Sequence, residues 1–254
     1  EIDSFFILIL KLLQRLSVSD KPFAIYNGAT KIGEYSTFAE TLAAYTSGYT
    51  VKLQKNYALK DADLSDKLSG FATVNLDLGT YTLRCENTKN SLFWLKATAT
   101  GSTVINIQGG AIRLGRTALV SYEGSNAGKT FSLNFEGTYI GLCEKAFATE
   151  YLSASAAPDS AAVKVNMSFD GCTFDLPDDS KTKDASILFT TPISKSLTVN
   201  YTVIGGEFRL SSQRWISILD NAKIVEFEKD ASGNYTKLLM PESVTVAVSG
   251  SYLI

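Results

Sequence analysis

Four stretches of this chain repeat one short pattern: VINIQGGAIRL, FSLNFEGTYIGL, KVNMSFDGCTFDL and VNYTVIGGEFRL. In each, apolar residues alternate up to a glycine, another apolar residue follows three positions later, and a leucine closes the motif. The glycines are Gly109, Gly137, Gly171 and Gly205, spaced 28, 34 and 34 residues apart. Units of that length cannot bury an apolar face alone, so they stack, and the recurrence predicts an all-β solenoid. Period-two alternation sends Ile107, Phe135, Phe169 and Val203 inward as one column, with Ile112, Ile140, Phe174 and Phe208 as a second.

The segment VNLDLGTYTLRC reads as a contracted copy, with Leu76, Leu78, Tyr81 and Leu83 at its apolar positions. Between the copies lie further strand-like runs, SLFWLKA, TALVSY, KAFATEYL, ASILFTT and RWISIL, separated by polar turn-rich loops. Each rung is therefore expected to contain at least two strands, as a coil of parallel sheets requires. Near the C-terminus ESVTVAVSGSYLI starts another motif, so the chain is expected to stop inside or just after a rung.

Upstream, FAIY is followed by a turn at Asn27-Gly28 and then by TFAETLAAYTSG. Thr37 and Glu40 form a capping box, Ala39, Leu42, Ala43 and Tyr45 supply an apolar side, and Gly48 offers a stop. The opening segment, with apolar Phe5 to Leu10 and then Leu12, Leu13 and Leu16, is too short for a membrane span and lacks signal-peptide features. It predicts an amphipathic helix from about Ser4 to Leu16. Three regions result: residues 1–22 as helix and linker, either a cap or the remnant of a preceding domain; residues 23–60 as a strand–helix–strand lead-in; and residues 61–254 as rungs.

Composition narrows the function classes. With 24 basic and 26 acidic residues there is no field favouring nucleic acid or an anionic membrane. Histidine is absent, which removes the commonest general base near neutral pH and every imidazole metal ligand. Cys85, Cys143 and Cys172 are too few and too scattered for a disulfide framework or a zinc site, and read as small buried hydrophobes.

The order FAIYNGATKIGEYSTFAETLAAYTSGYTVKLQKNYAL, VNLDLGTYTL, VINIQGGAIRL resembles the pectate-lyase-like, right-handed parallel β-helix modules of large surface proteins from Gram-positive gut bacteria. The matching stations are Thr37 to Ala44, Gly48 to Leu53, Leu76 to Leu83 and Ile107 to Leu114. Tyr49 stands where those modules usually carry Asp, and Gly79-Thr80 where they carry Asn-Gly. The resemblance implies a right-handed parallel β-helix with an N-terminal helical cap. It also implies export to the extracellular space or cell surface, linkage to other domains of a larger polypeptide, and contact with polysaccharide or host glycan.

Alternation places an outward column at Asn106, Asn134, Ser168 and Thr202, and a second at Gln108, Glu136, Asp170 and Ile204. In register, Glu136 and Asp170 stand about 5 Å apart, where either a calcium ion relieves their repulsion or the side chains splay into water. A third column, Arg113, Gly141, Asp175 and Arg209, pairs Asp175 with Arg209, or else leaves Arg209 and Arg214 to grip uronate carboxylates. Trp94 and Trp215 fit core packing better than sugar stacking. For hydrolysis, Asp178-Asp179 is an adjacent acidic pair in a polar loop, and for a lyase Lys145 or Arg209 would have to serve, yet no motif selects them. The candidate ligand-binding residues are thus Asn106, Gln108, Asn134, Glu136, Ser168, Asp170 and Arg209, with Glu136 and Asp170 as the calcium pair.

These features favour a non-catalytic stalk, adhesin or weak glycan-binding module over a lyase or glycosidase acting on an acidic polysaccharide. A phage or toxin fibre would need a flat apolar outer face for trimerisation, which the outward columns do not supply. If the opening helix covers the end of the stack, deleting residues 1–20 exposes strand edges and apolar surface. The expected outcome is concentration-dependent aggregation by light scattering, and a truncation as soluble and stable as the parent chain would refute the cap.

Overall fold

In a computed structural model of the protein, the described residues are 19–60, 63, 66–85, 92–97, 101–114, 120–124, 129–141, 148–151, 163–175, 189–190, 197–204, 206–209, 226–229, 235–239 and 244–249. The expected helix from Ser4 to Leu16, together with Cys143, Glu144, Lys145, Asp178, Asp179, Arg214 and Trp215, lies outside them.

In chain order the elements are β1 (Phe23–Asn27), β2 (Thr30–Tyr35), α1 (Phe38–Ala44), β3 (Thr50–Leu53), β4 (Tyr57–Leu59) and a 3-10 turn (Asp66–Gly70). Next come β5 (Thr73–Cys85), β6 (Phe93–Ala97), β7 (Gly101–Leu114), β8 (Val120–Gly124), β9 (Lys129–Glu136), β10 (Tyr139–Gly141) and β11 (Ala148–Tyr151). The last are β12 (Val163–Asp170), β13 (Thr173–Asp175), β14 (Phe189–Thr190), β15 (Leu197–Ile204), β16 (Glu207–Arg209), β17 (Glu226–Lys229), β18 (Tyr235–Leu239) and β19 (Val244–Ser249). Among the described residues the protein is thus mostly β-strand with one α-helix.

The main sheet is mixed and open, with 13 strands in the order β19-β15-β12-β9-β7-β5-β3-β1-β2 and with β4, β10, β13 and β16 branching from it. From β3 to β15 every neighbour on this path is parallel, and the repeats pair in constant register: Ile107 with Phe135, Phe135 with Phe169, Phe169 with Val203. Beyond the corner the register continues, Ile112 with Ile140, Ile140 with Phe174 and Phe174 with Phe208. Four of the runs between copies form a second, parallel sheet in the order β14-β11-β8-β6, while the fifth, RWISIL, lies outside the described residues.

The corner glycine explains why the motif recurs. Gly137 and Gly171 adopt φ of 56° and 58°, a left-handed conformation that a side chain resists even where, as here, open space surrounds the missing Cβ. At Gly110 space is limiting as well, because a Cβ would come within 2.5 Å of both Leu78 Cβ and the Tyr81 carbonyl oxygen. The ladder passes through the turn unbroken: the Gly137 amide donates to the Asp170 carbonyl at 2.8 Å and the Gly171 amide to the Ile204 carbonyl at 2.9 Å.

Ile107, Phe135, Phe169, Ile112, Ile140 and Phe174 are all buried in one apolar core. Along the ladder the Phe135 and Phe169 rings stack, with centroids 4.9 Å apart and planes within 14°. Across it Phe93 of β6 meets the Phe135 ring edge-on at 6.0 Å, so the two sheets share that core. Cys85 and Cys172 are buried in it and form no disulfide. Burial pushes the Cys172 thiol up to about 11, which leaves it a poor nucleophile near neutral pH.

At the N-terminal side the sheet turns antiparallel, with β1 between β3 and β2. Thr37 Oγ1 accepts from the Glu40 amide at 3.1 Å, and the Glu40 carboxylate reaches back to the Ser36 amide at 3.0 Å, fixing the start of α1. Buried Asp63 locks this corner by accepting from the amides of Ala39 at 3.0 Å and Lys60 at 2.8 Å and from the Tyr57 hydroxyl at 2.9 Å. Burial, reinforced by that carboxylate, pushes the Tyr57 phenol up to about 12.

Four expectations need correction. The chain does not pass from the turn at Asn27-Gly28 directly to the helix, because TKIGEY forms β2, an edge strand that lacks the apolar alternation of a half-buried strand. Tyr81 is exposed rather than apolar core, since the register shifts on both sides of Gly79. In α1 it is Phe38, Thr41 and Leu42 that are buried, while Ala43 is exposed. Finally, β19 pairs antiparallel with β15 and does not start another parallel copy, because alternation specifies a strand but not its direction.

Lys129 is buried at the start of β9, where its ammonium donates to Thr103 Oγ1 at 2.9 Å and lies 5.2 Å from the centre of the Phe131 ring. Burial holds its pKa below the ordinary lysine range. The unfolded chain therefore binds more protons than the native one in the window between the two values, and native stability rises with pH there. Lys129→Met is expected to stabilise the protein by about 1 kcal/mol at neutral pH, by removing a buried charge while keeping the stem. Urea denaturation as a function of pH should show this gain shrinking as pH rises through the lysine range.

Candidate functional site

Outward residues of β3, β5, β7, β9 and β12 make one continuous polar face. Register extends the first outward column by two members, to Thr50, Asn75, Asn106, Asn134, Ser168 and Thr202. Its amides form a chain: Asn134 Nδ2 donates to Asn106 Oδ1 at 2.9 Å, and Asn106 Nδ2 donates to Asn75 Oδ1 at 2.9 Å. Asn75 Nδ2 is anchored in turn on the carbonyls of Gly48 and Tyr49, both at 3.1 Å. All three amides are thereby held in one orientation, with one N–H of Asn106 and one of Asn134 not engaged in the chain.

The second column is Lys52, Asp77, Gln108, Glu136, Asp170 and Ile204. The Lys52 ammonium lies 3.3 Å from the Asp77 carboxylate and 5.3 Å from the centre of the Tyr26 ring. Glu136 and Asp170 are register neighbours and both are exposed. Neither has a basic partner among the described residues. Two carboxylates supply at most two oxygens each against the roughly six to eight that calcium takes. Among the described residues no group of three or more Asp, Glu or Cys side chains converges, so calcium would need further donors.

An open groove of about 460 Å³ runs over this face. Gly28, Thr50 and Lys52 line one end, Asn75, Asn106 and Asn134 follow, and Asp77, Gln108 and Glu136 also line it, with Leu76 and Ile107 beneath. Four expected ligand residues, Asn106, Gln108, Asn134 and Glu136, are thus brought together. Ser168 and Asp170 continue the same face beyond the groove, on β12.

Arg209 does not join them. It lies past the corner on β16, in register with Asp175, and its side chain is outside the described residues. The partner that the structure shows for Asp175 is Tyr139, whose hydroxyl donates to the Asp175 carboxylate, while the Arg113 guanidinium lies 5.3 Å from the centre of the Tyr139 ring. Trp94 falls on β6.

Asn75, Asp77 and Lys52 were missed by the sequence reading. Asn75 stands four residues before Gly79, whereas Asn106 stands three before Gly109, because β5 carries a bulge between Asp77 and Gly79. Counting back from Asp77 and Gln108, the polar residues just before the bulge, would have aligned them. No family model, curated protein or solved structure matches the chain.

Because Asn106 sits at the middle of the amide chain and is only half-buried, Asn106→Ala is expected to cost no more than about 1 to 2 kcal/mol, with water replacing its partners. Thermal unfolding followed by circular dichroism checks this, and a larger loss would make the amide chain chiefly a structural device.

Proposed function

We propose that this chain is a right-handed parallel β-helix with an N-terminal cap, a non-catalytic segment of an exported bacterial surface protein that acts as a stalk or adhesin and holds glycan weakly in the groove. The parallel, constant-register pairing of successive repeats in both sheets supports the β-helix. The helix α1 and the β1–β2 hairpin, lying beside the first parallel strands, support the cap. No helix among the described residues is long and apolar enough to cross a membrane.

The observation that carries the glycan reading is the row of oriented amides, one from each of three adjacent strands, along an open polar groove. Sugars present closely spaced hydroxyls that both donate and accept, and a fixed amide offers both roles without paying for its own ordering. Parallel strands rise about 4.8 Å from one to the next, close to the length that one residue adds to an extended hexose polymer. Successive sugars would then meet equivalent amides.

A lyase or glycosidase is the competing reading, and the register pairing of Glu136 with Asp170 is what favours it. Incubation with neutral and uronate-containing glycans, with and without calcium, separates the two when binding and unsaturated or reducing products are followed together. The expected result is binding without turnover, weakened about tenfold in Asn106→Ala, as the loss of one hydrogen-bonding amide would produce. Product formation abolished by Asp170→Ala would replace this reading with an enzymatic one.

A further inference from the structure

We infer that the groove takes an uncharged hexose polymer lying across the strands, and that Glu136 and Asp170 act as its specificity residues by excluding chains that carry uronate or sulfate. This rests on the glycan reading of the groove and deepens it.

The charge along the second column decides the matter. At one end Lys52 is committed to Asp77 at 3.3 Å, so the cation nearest the groove is already neutralised by a neighbour. Further along stand Glu136, which lines the groove, and Asp170, its register neighbour on β12, both exposed and without a basic partner among the described residues. The hydrogen-bonding surface between them is made of amides, Asn75, Asn106, Asn134 and Gln108, which carry no net charge. A polymer threaded along the amides therefore passes two uncompensated carboxylates. An acidic group brought to about 4 Å from either one loses roughly fivefold in affinity even at the dielectric of water, and more once the sugar displaces solvent. A neutral chain meets the same carboxylates as hydrogen-bond acceptors for its hydroxyls. Placing like charge against an unwanted ligand is a common way to build selectivity.

The test compares cellohexaose and mannohexaose with oligogalacturonate and heparin fragments of similar length, by isothermal calorimetry on the whole chain. The unmodified protein is expected to bind a neutral oligomer at least tenfold more tightly than either acidic one at low salt, with the ratio narrowing as ionic strength rises. In Glu136→Gln/Asp170→Asn the acidic-to-neutral affinity ratio should rise by about tenfold. Asp20→Asn, which removes a charge at the far end of the β1–β2 hairpin, should leave that ratio where it was. Acidic oligomers bound as tightly as neutral ones, or a ratio unmoved in the double variant, would overturn the inference while leaving the glycan reading intact. Absence of binding to every oligomer would overturn both.

Discussion

Everything on the outer face depends on register. In a parallel ladder whose side chains alternate in and out, a slip of one residue would put Asn106 and Asn134 in the core and Ile107 and Phe135 in water. Two features prevent it. The inward phenylalanines must stack, as Phe135 and Phe169 do, and the corner glycines must reach their left-handed turn at matching places on successive strands. The corner amides of Gly137 and Gly171 then bond across to the next strand, so the turn itself is part of the ladder. Core and corner together determine which residues face solvent.

With register fixed, the amide chain follows from geometry. Neighbouring parallel strands bring equivalent side chains close to one strand spacing apart, the reach at which one carboxamide can bond the next. Asn75 starts the chain on two backbone carbonyls, which sets its direction, and Asn106 and Asn134 inherit it. Ser168 and Thr202 occupy the next two positions with side chains too short to extend an amide chain in the same way. The polar face therefore continues beyond the amide chain, which itself runs over β5, β7 and β9.

The four copies made the repeat strands and the first three members of each inward column legible in the sequence, since each depends only on period two and a recurring glycine. The groove's polar lining was legible in part for the same reason: Asn106, Gln108, Asn134 and Glu136 have fixed offsets from Gly109 and Gly137. What escaped the reading arises where the period fails. The bulge in β5 displaced Asn75 from its expected offset, and the edge strand β2 has no apolar alternation to announce it. Strand direction escaped too, because the alternation of Val244–Ser249 is equally compatible with either sense of pairing. Asp63 illustrates a further limit: the three hydrogen bonds that its carboxylate accepts come from α1, from Tyr57 and from Lys60, a convergence that no local pattern announces.

The groove lies where the repetition ends. A stack of equal parallel strands presents a flat face, and flat polar faces give a ligand little beyond what water already offers. Here the parallel strands give way to the antiparallel β1–β2 hairpin, and Gly28 at its turn joins Thr50 and Lys52 in lining one end of the concavity. Tyr26 of the same hairpin lies against the Lys52 ammonium and helps to hold that wall in place. The repeat thus supplies a periodic floor of amides, and the departure from the repeat supplies the wall. Residues that break the repeat accordingly shape this groove as much as those that maintain it.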